Sequence, residues 1–182
     1  MKRAISSREA ISKRAQEEIK EGEKSEESEE SAVSGGSLEE YLGNLLAALR
    51  AQYINYQTSH WIAKGDCFYS EHLMFQRLYE SVTDQIDTLA EKLICFKDEP
   101  SVDMCSQTEK IHLLCKKWAD IDCPLERGLE SEKFVQKLIE EAYEEITKSK
   151  EMTLGLDDFL MATANSHEEN MYLLKRSLKK IK

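Results

Sequence analysis

Residues 60–91 read HWIAKGDCFYSEHLMFQRLYESVTDQIDTLAE. Two histidines, His60 and His72, flank a turn at Gly65, and two carboxylates, Asp87 and Glu91, stand one turn apart along the segment that His72 begins. Side chains four apart share a helix face, and the fifteen-residue step from His72 to Asp87 is close to a whole number of turns, so these three look the same way. They cannot bind one ion together: on a straight helix His72 and Asp87 stand roughly 22 Å apart, several times the length of a metal–ligand bond. A single centre made from all four therefore needs the histidines of one subunit and the carboxylates of another, meeting across a two-fold axis, with two such centres per symmetric dimer.

Working outward, Ser37-Leu38-Glu39-Glu40 has the form of a capping box that opens a helix. Leu38, Leu42, Leu45, Leu49, Tyr53, Tyr56 and His60 then recur at three or four, a buried stripe that runs to about Lys64 and carries His60 on it. A second long helix is predicted over residues 69–96, with Phe75, Leu78, Val82, Ile86, Leu89 and Leu93 as its core face and Pro100 as a stop. Between residues 100 and 130 the pattern is less regular: it predicts a short helix at 111–118 and a break at Pro124 and Gly128. A third helix is predicted over 132–150, and a fourth from about Leu156, with Leu160, Ala164, His167, Met171, Leu174 and Leu178 on one face. No segment alternates as a strand does, so the fold class is all-α: a four-helix bundle with a short helix in its central connection.

Upstream of Gly35-Gly36 the chain is poor in large apolar residues and rich in Ser, Glu, Lys and Arg, too little to offset chain entropy by burial. Residues 1–36 are thus expected to be a disordered charged tail, with the bundle occupying 37–182. The tail's charge is split between a basic cluster of Lys2, Arg3, Arg8, Lys13 and Arg14 and an acidic tract from Glu17 to Glu30. A formal charge of -10 argues against a uniformly basic nucleic-acid binder. No apolar run is long enough to span a bilayer and no secretory signal opens the chain, so no membrane partner and a cytoplasmic location are expected. Five cysteines, odd in number and without a CxxC pair, are expected to be reduced thiols.

His60-Trp61, Gly65, Phe68, His72, Phe75 and the run from Asp87 to Glu91 together resemble the ferroxidase signature of the Dps proteins, the DNA-protecting mini-ferritins. The resemblance covers residues 38–97 and extends more loosely to His167-Glu168, Tyr172 and Leu174. It implies a ferritin-like bundle assembled as a hollow homo-oligomeric dodecamer of two-fold dimers. Iron, Fe(II) going to Fe(III), is then oxidised by peroxide or oxygen at the dimer interfaces and stored inside. By position, His60 and His72 match the histidine ligands of one subunit, and Asp87 and Glu91 the carboxylates of its neighbour. The family places a carboxylate one turn after the second histidine; here that metal position is Gln76, a neutral amide oxygen and a poorer ligand for iron.

Other assignments compete. A histidine on an apolar stripe is usually a hydrogen-bonded core residue, and Asp87 and Glu91 by themselves would be a solvated face paired with Lys92 or Arg77. His167 reads as structural, and Trp61 and Tyr79 as packing near the site rather than carrying electrons. Cys105, His112, Cys115 and Cys123 have the donor types that zinc prefers, at wide and irregular spacings that favour buried thiols instead. A site inside each bundle normally needs paired Glu-x-x-His motifs, and only Glu109 to His112 has that form. DNA, if bound, has two candidate contacts: the basic cluster of the tail, or Lys175, Arg176, Lys179, Lys180 and Lys182 at the other end. The alternative function on the same fold is a structural shell or DNA-packing protein whose metal site has decayed.

Overall fold

A computed structural model describes residues 36–97 and 99–179. Residues 1–35 of the expected disordered tail, with its basic cluster, and Lys180 and Lys182 lie outside the described residues. Within them the chain forms five α-helices: α1 (Leu38–Ile62), α2 (Phe68–Lys97), α3 (Met104–Ala119), α4 (Pro124–Lys148) and α5 (Leu154–Leu178), with a 3-10 turn at Glu99–Val102 between α2 and α3. No described residue is in a strand, and no described helix is long and apolar enough to cross a membrane.

Local chemistry sets the helix ends. The Ser37 hydroxyl accepts from the backbone N–H of Glu40, Asp103 from that of Ser106 and Thr153 from that of Leu156, each satisfying a donor that the first turn leaves free. The α1–α2 turn closes at Gly65, whose φ of 81° is a left-handed conformation that costs glycine little.

Helices α1, α2, α4 and α5 surround one core, in which Leu42, Leu45, Leu49, Tyr56, Phe75, Leu78, Leu89, Leu93, Val135, Ala142, Leu156, Leu160 and Leu174 are all fully buried. Truncating one such leucine to alanine typically removes about 2–5 kcal/mol. Helix α1 is buried on a second side as well, where Gly43, Ala47 and Ala51 are small enough for α3 to lie close. Gln107 Nε2 there donates to the Gly43 carbonyl at 3.1 Å and Lys110 Nζ to Asn44 Oδ1 at 2.8 Å.

The central connection differs from the sequence expectation. Helix α3 has 16 residues and starts at Met104, and α4 starts at Pro124 rather than at 132. Pro124 falls in the first turn of α4, where its missing N–H is no loss, so it opens the helix instead of breaking it. Gly128 lies inside α4 and marks a close approach: a Cβ there would stand 3.2 Å from Leu174 Cδ2 and 3.4 Å from Tyr56 Cε1. The glycine permits contact between helices rather than a turn.

Candidate metal centre

His60 occupies the last turn of α1 and His72 the second turn of α2, brought together by the turn at Gly65. Their rings stack with centroids 3.7 Å apart and planes 21° from parallel. Each ring is tied to the other's backbone: His60 Nδ1 lies 2.8 Å from the His72 carbonyl and His72 Nδ1 2.9 Å from the His60 carbonyl. A carbonyl can only accept, so both Nδ1 atoms are donors, and in the neutral rings both Nε2 atoms keep their lone pairs. This is the outer-shell arrangement that would orient a ligating imidazole, here made reciprocally by the two imidazoles themselves. Phe68 leans on His72 with centroids 5.1 Å apart, and the edge of Tyr79 meets His60 at 5.4 Å.

Helix α2 is continuous across 30 residues, so Asp87 and Glu91 stand far along it from His72. Both are exposed and neither is ion-paired among the described residues, Lys92 and Arg77 included. Gln76 is half-buried and donates from Nε2 to Glu80 Oε1 at 2.9 Å, which leaves its own Oε1 as the only metal-capable atom. Within one chain, no three of His, Cys, Asp or Glu among the described residues are grouped to hold an ion. The structure thus brings His60 and His72 together and leaves Asp87 and Glu91 apart from them. Cys105, His112, Cys115 and Cys123 form no such group either, and Cys105 is exposed rather than buried.

Trp61 is 66% exposed, and Ile62, Phe68, Tyr69 and Leu73 around the same turn are exposed too. A cluster of large apolar side chains on a surface marks an interaction site more often than chance.

A second polar group lies inside the bundle and was not anticipated. Glu132 of α4 is fully buried, and its two oxygens take hydrogen bonds from the Tyr56 hydroxyl of α1 and from Nδ1 of His167 of α5. Nε2 of His167 stands 3.0 Å from Gln85 Oε1 of α2, so each helix of the four-helix core supplies one member. Gln52 Nε2 donates to the Tyr56 oxygen at 3.1 Å. Burial, then the adjacent Glu132 charge, raises the Tyr56 phenol well above the usual tyrosine range. The sequence carried a signal: Glu132 falls in the same register as Gly128, Val135, Ile139, Ala142 and Ile146, a charge on an apolar stripe. In a helix that begins at 132 it reads as a first-turn acid; the helix begins at Pro124, and Glu132 is buried in its interior.

The ferritin-like domain family matches residues 39–182. General stress protein 20U of Bacillus subtilis is 22% identical over 138 residues, covering 69% of this chain and 86% of that one. A nutrient stress-induced DNA-binding protein of Nostoc is 39% identical over 54 residues, 30% of this chain and 29% of its own length. Among solved structures, Dps from Listeria monocytogenes superposes with a TM-score of 0.67 at 17% identity, covering 81% of this chain and 97% of that one. Dps from Vibrio cholerae, described as one of the ferritin-like diiron-carboxylate proteins, gives 0.65 at 19%, with 78% and 88% covered.

The buried cluster predicts its own sensitivity. His167→Ala removes one partner of a fully buried carboxylate, and stability is expected to fall by about 3–5 kcal/mol. Urea unfolding measures this; a loss under about 1 kcal/mol, within the range of an exposed pair, contradicts a charge that depends on His167.

Proposed function

The chain belongs to the ferritin-like domain family and has the Dps fold, and from that premise we propose that it is a cytoplasmic ferroxidase of the Dps type. It oxidises Fe(II) with peroxide or oxygen at centres shared between two subunits, keeps the Fe(III) product inside a dodecameric shell and so limits oxidative damage. Iron here is substrate and cargo. The observation that carries this proposal is the reciprocal His60–His72 pair, two imidazoles whose Nδ1 atoms are already committed and whose Nε2 lone pairs are free. Asp87 and Glu91 of a neighbouring subunit supply the hard, charged oxygens that Fe(III) prefers. The exposed Trp61, Ile62, Phe68, Tyr69 and Leu73 favour a second copy seated at that end of the bundle.

Complementation tests the division between subunits. One chain carries His60→Ala and His72→Ala, the other Asp87→Ala and Glu91→Ala; each alone is expected to be inactive. Random co-assembly at equal amounts makes half the dimers mixed, each with one complete centre of two, so about a quarter of the wild-type rate returns. Stopped-flow iron oxidation that stays at the level of the separate variants rules out a shared centre.

The alternative, a shell or DNA-packing protein with a decayed metal site, is favoured by one observation: Gln76 offers a neutral oxygen and is engaged with Glu80. Gln76→Asp is expected to tighten Fe(II) binding about tenfold, the scale of a single ligand-shell change. Calorimetric affinities that are equal or weaker show a centre rebuilt around the amide.

We assign DNA contact to the tail's basic cluster (Lys2, Arg3, Arg8, Lys13 and Arg14), displayed in many copies by the shell. Deleting residues 1–36 is expected to leave particle size unchanged by light scattering, because the Ser37 cap starts α1 without them. The same deletion weakens DNA binding and flattens its salt dependence, since fewer counterions are released. Full affinity after deletion moves the contact to Lys175, Arg176, Lys179, Lys180 and Lys182, and a truncated chain that does not assemble makes the tail a structural arm.

A further inference from the structure

Where α1, α3 and α4 meet, a cavity of about 190 Å³ is lined by Ile54, Asn55 and Thr58 of α1, Cys115 and Trp118 of α3, and Arg127 of α4. None of these residues has a part in the candidate metal centre or in the Glu132 cluster.

Arg127 supplies the cavity's chemistry. Its guanidinium is half-buried, and burial lowers its pKa from the usual arginine value, yet it stays charged because arginine is not deprotonated in proteins. Nε donates to Asn55 Oδ1 at 2.7 Å and Nη2 to Ser59 Oγ at 3.0 Å. Both acceptors are buried and neutral, and Asn55 is itself tied to Ser131, so they fix the fork without compensating its charge. No carboxylate among the described residues forms an ion pair with Arg127. A guanidinium has five N–H donors, and these two bonds take the edge formed by Nε and Nη2. The edge formed by Nη1 and Nη2 has no acceptor among the described residues, and on such an edge a planar two-oxygen group makes two parallel bonds.

The remaining walls select among anions. Ile54 and Trp118 are apolar, burial pushes the Cys115 thiol up so that it stays neutral, and Thr58 offers one hydroxyl. A phosphate would satisfy two oxygens on Arg127 and turn the others toward apolar walls, a desolvation cost that little here offsets. A carboxylate has only two oxygens, and an apolar body behind it would cover Ile54 and Trp118. Size follows from volume: the cavity is smaller than the roughly 300–1,000 Å³ of drug-sized sites, and takes a single ring or a short branched chain.

We propose that this cavity is a binding site for a small monocarboxylate with an apolar body, its carboxylate bidentate on Arg127 and its body against Ile54 and Trp118. The site is independent of iron, and stands or falls apart from the ferroxidase reading.

Benzoate is the probe, benzamide its uncharged counterpart of the same shape, and inorganic phosphate the anion without an apolar body. Calorimetry on the assembled full-length protein is expected to show one saturable benzoate site per chain and no binding of benzamide or phosphate at the same concentrations. Arg127→Gln weakens benzoate binding about 10–100-fold, the scale of hydrogen bonds to a charged group. Arg127→Lys, which keeps the charge without the fork, also loses most of it. Location is read in the unmutated protein, by iodoacetamide alkylation and peptide mass spectrometry. Saturating benzoate slows alkylation of Cys115 by on the order of tenfold, since a covered thiol is out of the reagent's reach. Cys105, exposed on the same helix, is expected to react at an unchanged rate. Equal binding of benzamide shows an apolar hole in which Arg127 takes no part, and equal binding of phosphate shows a general anion site; either overturns the proposal. So does a Cys115 rate that benzoate leaves unchanged, or a shell that binds no benzoate, the outcome if a neighbouring copy's carboxylate already fills the Arg127 edge. These comparisons need no variant, so they decide the matter even if the Arg127 substitutions prevent folding.

Discussion

A carboxylate at the centre of a helical bundle is costly unless every lone pair finds a donor, and Glu132 is the point on which this bundle's register turns. Its partners come from three other helices: Tyr56 on α1, His167 on α5 and, through that imidazole, Gln85 on α2. Leucine packing tolerates small slides of one helix over another, since apolar contacts are not directional. Hydrogen bonds to a buried carboxylate do not: rotating α1 or α5 by one residue, about 100°, takes the donor out of reach. Gly128, one turn before Glu132, lets Leu174 and Tyr56 close in on α4 so that these distances can be met.

The two polar centres of the chain follow opposite logic. Around Glu132 the buried carboxylate, phenol and imidazole hydrogen-bond to one another within one chain. At the α1–α2 turn the Nδ1 atoms are paired, while among the described residues the Nε2 atoms have no partner and Asp87 and Glu91, far along α2, have no ion-pair partner. Complete groups stabilise a fold; half-complete groups with fixed geometry are what a ligand or a second subunit can finish.

Most of the long helices were legible because each carries an apolar stripe at helical spacing. The stripes Leu38 to His60 and Phe75 to Leu93 repeat at three and four, and Ser37 and Pro100 punctuate them. The histidine and carboxylate spacing was legible for the same reason, since helical rise converts sequence separation into distance. The connection was not, because Pro and Gly have two meanings each. Pro124 is a stop by composition and a start by position, and Gly128 is a turn by composition and a contact by packing, a distinction that depends on Leu174 and Tyr56 arriving from distant segments. The stacking of His60 on His72 and the exchange of their Nδ1 hydrogen bonds had no sequence signal at all; both depend on the path of the chain through Gly65.

Helix α1 joins these parts. Its first three turns bury leucine on one side and small residues against α3 on the other, where Gln107 meets the Gly43 carbonyl and Lys110 meets Asn44. Gln52 and Tyr56 follow on successive turns inside the core, Gln52 Nε2 donating to the Tyr56 oxygen and the Tyr56 hydroxyl to Glu132, while Gln52 Oε1 has no hydrogen-bond partner among the described residues. His60 comes one turn later, where α3 no longer covers the helix and Trp61 and Ile62 emerge from the surface. One stripe with a four-residue step therefore passes from apolar packing, through a paired phenol, to an imidazole with a free lone pair. A helix rigid enough to hold that gradient fixes the distance between Tyr56 and His60 for as long as the bundle is folded, and the proximity of the buried phenol to the candidate metal centre follows from the same α-helical geometry that builds the core.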